Sequence, residues 1–318
     1  MKGYLKMLGR HWMFSDKGSC LPDRYVCIDA ELSGLNPHKD VMVQIGHCLV
    51  VKGEIQEYQE FYLDWVTDRI LSPAWLSDRL RQTKDAIEYS KDGHRTGERY
   101  DITIDILREK GQDPYQVLKY YHQKILQWKE QDLYFVAHNF ETDESAISRM
   151  AERWANAFPI GFIDDLKFPD NRIVDTGTIA KGIQSGCVPQ NRETLRAFMV
   201  RAKRAGGSKY KWALASYCVP TYLQGLAELE KVHSAGYDAA LCYQLMEVWR
   251  AEGDSATASV NYDFSGLVVD AEVEVPTSPP EEGQEVRKPR SKKRTQDAQG
   301  EARVPSIGDL RRLRGRRR

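Results

Sequence analysis

Tyr25-Val-Cys-Ile-Asp-Ala-Glu31 opens as an apolar run and closes on two carboxylates set two residues apart. The run reads as a buried strand, Arg24 to Ile28, with Asp29 and Glu31 at its exit. Side chains two apart on a strand point to the same face. Two carboxylates on one face repel each other unless a cation lies between them. The stretch therefore predicts the first strand of a sheet and half of a metal site.

Working outward, Ser33-Gly-Leu-Asn-Pro37 has turn composition. Val41 to Val51 and Ile55 to Leu63 read as two further strands, and Lys52-Gly-Glu54 between them reads as a hairpin turn. Tyr115 to Lys129 is helical, with Val117, Leu118, Tyr121, Ile125 and Trp128 on one face. Leu133 to Ala137 is a fourth strand that carries on to Asn139, and Asp143 to Ala155 is a helix. Arg172 to Val174 is a weaker strand ending at Asp175, and Gly236 to Trp249 is a helix. The order is three antiparallel strands followed by alternating helices and strands. It predicts an α/β fold, a mixed sheet with helices on both faces.

The chain has 318 residues and 41% apolar content, enough to bury a sizeable core. No run approaches the eighteen or more apolar residues of a membrane span, and the first residues lack the apolar region of a secretory signal. The six cysteines show neither CxxC nor zinc spacing. Cys27 and Cys48 lie in strand-like runs and read as reduced, buried thiols. These features predict a soluble protein of a reducing compartment, the cytoplasm.

A formal net charge of zero conceals an asymmetry. Residues 251–285 hold nine acids and no Lys or Arg, whereas 286–318 hold thirteen Lys or Arg against three acids. Neither segment has the apolar content to offset its ordering entropy. The expected organisation is an extension over 1–22, a folded domain over 23–250 and a disordered tail over 251–318, acidic then basic, with a short helix at 307–313. The basic end suits nucleic acid, through counterion release, or a protein partner.

Three further segments place polar groups at element ends. They are Val136-Ala-His-Asn-Phe-Glu-Thr-Asp143, His233-Ser-Ala-Gly-Tyr-Asp238 and Asp175. Singly, a D-x-E pair or an H-x4-D spacing is cheap. In this order, Ile28-Asp-Ala-Glu-Leu-Ser-Gly-Leu35, Ala137-His-Asn-Phe-Glu-Thr-Asp143 and His233-Ser-Ala-Gly-Tyr-Asp-Ala239 resemble the DEDD exonuclease superfamily. The His places them in its DEDDh branch, which includes proofreading subunits of DNA polymerase III and oligoribonucleases. The resemblance covers roughly 24–250.

That resemblance implies an RNase H-like fold with a five-stranded mixed sheet, three antiparallel strands then two parallel. It implies that Asp29, Glu31, Asp143 and Asp238 hold two Mg2+ ions, or Mn2+, and that His233 is the general base. It implies 3′→5′ hydrolysis of single-stranded 3′ ends to nucleoside 5′-monophosphates. Hard divalent cations do prefer carboxylate oxygens, and two of them ~4 Å apart suit phosphodiester hydrolysis. Ser33, Leu35 and Asn139 are candidates for substrate binding. Leu35 is equally a plain loop residue, and Asn139 is also suited to shaping the strand-to-helix turn. His138 is the rival base, and Asp175 a supporting residue.

The first motif, with Leu-Ser after the glutamate, is closer to oligoribonucleases, and the second is closer to proofreaders. DNA is the favoured substrate and short RNA the alternative; a silent nucleic-acid-binding module is a third reading. Arg192, Arg196, Arg201, Lys203, Arg204, Lys209 and Lys211, with Tyr210 and Trp212 interleaved, fit either a nucleic-acid-contacting insertion or a solvated helix face.

Overall fold

The computed structural model describes residues 21–250 apart from 35, 37–38, 68–69, 155–156, 158–160, 188–189, 191–192, 194 and 208–212. Residues 1–20 of the extension expected over 1–22, and the tail over 251–318 with its 307–313 helix, lie outside the described residues.

The elements run β1 (Arg24–Leu32), β2 (Met42–Val51), β3 (Glu54–Leu63), α1 (Pro73–Glu88), α2 (Ile104–Lys110), β4 (Gly111–Gln112), α3 (Pro114–Glu130), β5 (Tyr134–Ala137), α4 (Phe140–Arg153), α5 (Phe162–Asp165), β6 (Ile173–Asp175), α6 (Thr176–Gln184), α7 (Leu195–Gly206), α8 (Val219–Tyr222) and α9 (Ala235–Arg250). The sheet order is β4-β3-β2-β1-β5-β6. β1, β2 and β3 are an antiparallel meander, while β5 and β6 continue parallel to β1. Lys52 and Gly53 both have positive φ, 54° and 79°. That is the mirror-image turn whose twist matches a two-residue hairpin.

The continuous apolar run of β1 is explained by cores on both faces of the sheet. Val26 and Ile28 enter one core with Trp65, Leu118, Tyr121 and Trp128. Tyr25 and Cys27 enter the other with Cys48, Val136, Phe198 and Leu245. The described cysteines, Cys27, Cys48, Cys187, Cys218 and Cys242, are buried free thiols. No helix among the described residues is long and apolar enough to cross a membrane.

Three expectations need correction. The sheet has six strands rather than five, because Gly111 and Gln112 pair with the end of β3 at Tyr62 and Leu63. A two-residue strand carries no periodicity to read. Next, β1 runs on to Leu32, so Asp29 and Glu31 lie within it; pairing with β2 continues through both. β5, by contrast, stops at Ala137 rather than Asn139. Helices α1 and α2 occupy a stretch to which no element was assigned. In α1 only Leu76, Leu80 and Thr83 are buried, a stripe too narrow to stand out in a polar sequence.

The register also sets a close approach. Gly46 lies opposite Asp29 on one side and Glu60 on the other. A Cβ added to Gly46 would overlap the backbone nitrogen and Cα of Gly236, at the start of α9. Only glycine lets the helix settle here. Gly46→Ala is expected to destabilise the fold by about 1–3 kcal/mol, the cost of overpacking a close contact. A denaturant titration measures it, and an unchanged or raised midpoint would contradict the constraint.

Candidate metal centre

The site grows from two rows of cross-strand neighbours. Asp29, Gly46 and Glu60 form one row across β1, β2 and β3, and Glu31, Gln44 and Tyr62 form the next on the same face. The first turn of α9 rests on these rows. The first amides of any helix lack intrahelical partners, and here strand side chains supply them. Ala235 N–H donates to Gln44 Oε1 at 3.1 Å, and Gly236 N–H donates to Glu60 Oε1 at 2.8 Å. The Ser234 hydroxyl donates to the same Glu60 oxygen at 2.6 Å. Asp238, one turn into α9, is thereby carried to the acidic end of β1. Its Oδ2 accepts the His233 amide at 3.2 Å, which holds His233 in a left-handed conformation, φ 71°. Ligand atoms of Glu31, His233 and Asp238 all lie within 4.8 Å of one another.

Asp143 arrives from the other side. β5 pairs with β1 only as far as Cys27 and Val136, and β1 then outruns it. The Ala30 amide, which has no β5 partner, donates instead to Asp143 Oδ1 at 3.0 Å. Asn139 makes the strand-to-helix turn with φ 69°. Its side-chain amide donates to Thr142 Oγ1 at 2.6 Å, and its backbone N–H donates to Asp175 Oδ1 at 3.2 Å. Asp175 also accepts from the Thr178 amide and hydroxyl. Asn139 and Asp175 thus shape the two turns at the carboxyl ends of the parallel strands, the end of such sheets where ligands bind.

Burial pushes the carboxyl groups of Asp29, Glu31, Asp143 and Asp238 above the ordinary range. Mutual repulsion adds to it: Asp29 feels Asp143, Asp238, Glu31 and Glu60. Asp143 Oδ2 and Asp238 Oδ1 are buried and have no hydrogen-bond partner. A buried, unpaired carboxylate oxygen is costly, and a hard divalent cation satisfies such oxygens. The residues present fit a divalent metal.

The His233 ring lies between two acids. Its Nε2 is 2.9 Å from Glu98 Oε2 and its Nδ1 is 3.8 Å from Glu31 Oε1. Burial alone would lower its pKa, but the Glu98 hydrogen bond and the charges of Glu31 and Asp238 outweigh burial and raise it to about 9. His138, the rival base, bonds Thr176 Oγ1 through Nδ1 at 3.0 Å.

The remaining candidates are placed as follows. Ser33 is wholly buried. Its hydroxyl donates to Asp40 Oδ1 at 3.3 Å and accepts from the Val41 amide at 3.1 Å, so it serves the loop after β1. Asp40 anchors that loop through a two-pronged bond from Arg79, 2.8 Å in each arm. Leu35 lies outside the described residues, as do Arg192, Lys209, Tyr210, Lys211 and Trp212 of the basic stretch. Within that stretch Arg201 pairs with Glu193 at 2.6 Å, Arg196 with Asp170 at 3.4 Å and Lys203 with Glu141 at 3.8 Å. These three cations therefore face acids of this same chain.

Glu60, Gln44 and Glu98 lie outside the three sequence motifs. The alternation in β3 places Glu60 on the face of Asp29 once register is known, but register is not visible in one sequence. Glu98 sits in an irregular loop 135 residues from His233, and nothing in its neighbourhood signals a role.

No protein-family model matches the chain, and no curated protein matches it. Among solved structures it is similar to E. coli exonuclease I bound to single-stranded DNA in a zinc-ion form, with 14% identity and a TM-score of 0.45 over 71% of this chain and 40% of that one. It is also similar to exonuclease I in its apo form, with 14% identity and a TM-score of 0.41 over 71% of this chain and 41% of that one. For E. coli exonuclease I in complex with a dA16 oligonucleotide the figures are 14% and 0.41, over 71% and 40%. The chain thus matches only about 40% of the length of these proteins.

Carboxyl groups with raised pKa keep protons toward neutral pH, and those protons compete with a cation. Rising pH removes them, so cation binding strengthens with pH. Millimolar Mg2+ or Mn2+ is expected to raise Tm more at pH 8 than at pH 5.5. The pair of substitutions Asp143→Asn and Asp238→Asn is expected to abolish that gain while raising the Tm of the cation-free protein, since repulsion is relieved. Equal gains at both pH values, or a gain that survives in the variant, would contradict the metal assignment.

Proposed function

We propose that this chain is a metal-dependent 3′→5′ exonuclease. It hydrolyses the terminal phosphodiester of single-stranded nucleic acid, DNA in preference to RNA, and releases nucleoside 5′-monophosphates. The observation that carries the reading is the convergence of Asp29, Glu31, Asp143 and Asp238 from three segments, two of them with buried unpaired oxygens, beside His233. Such a cluster is expensive to bury without cations, which suits a centre for metal-assisted hydrolysis. The order of the three motifs, with its resemblance to DEDDh exonucleases, supplies the polarity and the product. The resemblance of the second motif to proofreaders favours DNA.

Asp29, Glu31, Asp143 and Asp238 are the residues that would hold two divalent ions. When bound, such ions lower the pKa of a water and stabilise the departing 3′ oxygen. The remaining work falls to the chain. His233 takes the proton of the attacking water, the task for which an imidazole of near-neutral pKa is suited. Its raised pKa reflects the Glu98 hydrogen bond and the charges of Glu31 and Asp238, which outweigh burial; a cation held by those acids would offset their charge and favour the neutral, basic ring. The Ala30 amide orients the Asp143 carboxylate. Gln44 and Glu60 hold the first turn of α9, so that Asp238 and His233 move as one unit with the β1 acids.

Digestion of end-labelled single-stranded DNA, duplex DNA and short RNA with Mg2+, Mn2+ or EDTA tests the reading. The expected result is stepwise release of mononucleotides from the 3′ end of single-stranded DNA, lost in EDTA. Faster digestion of short RNA would move the substrate to RNA, and no release from any of them would leave only a binding module. Asp29→Ala or Asp238→Ala is expected to abolish release; full activity in either contradicts the metal role. His233→Ala is expected to cut turnover roughly 100-fold or more, and His138→Ala far less. The reverse order would exchange their roles.

A further inference from the structure

The contact between His233 and Glu98 has no counterpart in the motifs. Glu98 Oε2 lies 2.9 Å from His233 Nε2, and both side chains are largely buried, 17% and 22% exposed. The loop that carries Glu98 is pinned on both flanks. Before it, the Thr96 hydroxyl donates to the Ile87 carbonyl at 2.8 Å, the Thr96 amide donates to the Glu88 carbonyl at 3.0 Å, and the Glu98 amide donates to Thr96 Oγ1 at 3.1 Å. After it, Tyr100 is fully buried, and its hydroxyl donates to the Leu32 carbonyl at 3.0 Å, one residue past Glu31. The Tyr100 amide donates to Glu88 at 3.2 Å, and Lys84 bridges Glu88 and the Tyr100 carbonyl. The carboxylate is thus built against the end of β1 rather than swinging free.

We infer that Glu98 is the positioning residue of His233: it accepts the Nε2–H, fixes the ring plane, and leaves Nδ1 as the basic nitrogen facing the acid cluster. The inference rests on the exonuclease reading for its catalytic meaning and on geometry for the contact itself. In a neutral imidazole one nitrogen donates and the other accepts. The hydrogen bond at one nitrogen selects the tautomer and so decides which nitrogen can take a proton. Nδ1 is the nitrogen nearer Glu31, at 3.8 Å, and therefore the one directed at the centre. His233 needs such a support because its backbone is left-handed and sits before the first turn of α9, outside any element that would restrain the ring. Glu98 touches no other group of the acid cluster by a hydrogen bond or ion pair among the described residues, and Glu31 and Asp238, not Glu98, share the 4.8 Å ligand group with His233.

The test uses the full chain with Mg2+ and a single-stranded oligonucleotide. Glu98→Ala is expected to lower kcat roughly 10- to 100-fold, the usual effect of removing the partner that orients a catalytic His. KM and the cation dependence should change less than about threefold, and Glu98→Gln, which retains an acceptor oxygen, should recover part of the loss. In a His233→Ala background Glu98→Ala should cost nothing further, because residues that act through one another are not additive. A kcat equal to that of the wild type, full additivity in the double variant, or a loss of cation affinity like that expected of the paired Asp143→Asn and Asp238→Asn substitutions would each overturn the inference. Proton and 15N NMR of the imidazole give an answer independent of turnover. A slowly exchanging Nε2–H signal of His233 is expected in the Mg2+-loaded wild type and absent in Glu98→Ala; its absence from the wild type, or persistence in the variant, overturns the contact. A wild-type chain that releases no nucleotide sinks the exonuclease reading, while the imidazole signal still decides the role of Glu98.

Discussion

The docking of the first turn of α9 onto Gly46 is the contact on which the site depends. Helix-initial amides need acceptors, and Gln44 and Glu60 provide them from neighbouring strands. The absence of a side chain at Gly46 lets the backbones meet. Without that approach Asp238 and His233 would stand away from Asp29 and Glu31, and no shared centre would exist. A helix attached through acceptors on the sheet also brings its partial positive end toward the acids, which partly offsets the charge gathered there.

The second constraint is electrostatic. Asp29, Glu31, Asp143 and Asp238 are brought together in a buried place, and Glu60 adds a fifth negative group nearby. Such an arrangement opposes folding. It persists because the surrounding elements over-determine it: β1 is sandwiched between two cores, α4 is tied to β1 by the bond from Ala30 to Asp143, and α9 is held as described. Stability is supplied by the cores and given up at the site, a common division of labour where charge must be poised for a ligand. The raised pKa of His233 has a related origin: burial lowers it, but the Glu98 hydrogen bond and the charges of Glu31 and Asp238 outweigh burial.

Two of the substrate-binding candidates make hydrogen bonds that shape the loops carrying them. The Ser33 hydroxyl closes the loop after β1 with Asp40 and Val41, and the Asn139 side chain closes the turn after β5 with Thr142. Both hold the backbone that presents the acids. Three cations of the basic stretch, Arg196, Arg201 and Lys203, meet acidic partners within the chain. A charge run in a sequence shows where charge is, and only packing shows whether it is already paired.

The amino-acid sequence by itself marked the strands β1, β2, β3, β5 and β6 as short apolar or β-rich runs bounded by turn residues, and the helices at α3, α4 and α9 by their 3.6-residue period; the parallel order of the later strands came from the family resemblance. It also singled out Asp29, Glu31, Asp143, Asp238 and His233 as candidates, because their short polar motifs fall at element ends in a fixed order. It did not disclose β4, whose pairing is a property of its neighbour β3, or α1, whose buried stripe is narrow. Nor could it disclose Glu60 or Glu98. Glu60 joins the site through strand register, with Gly46 between it and Asp29. Glu98 joins it through a loop anchored by Tyr100 to the end of β1. Both relations arise when distant segments are packed together, and local patterns carry no record of that.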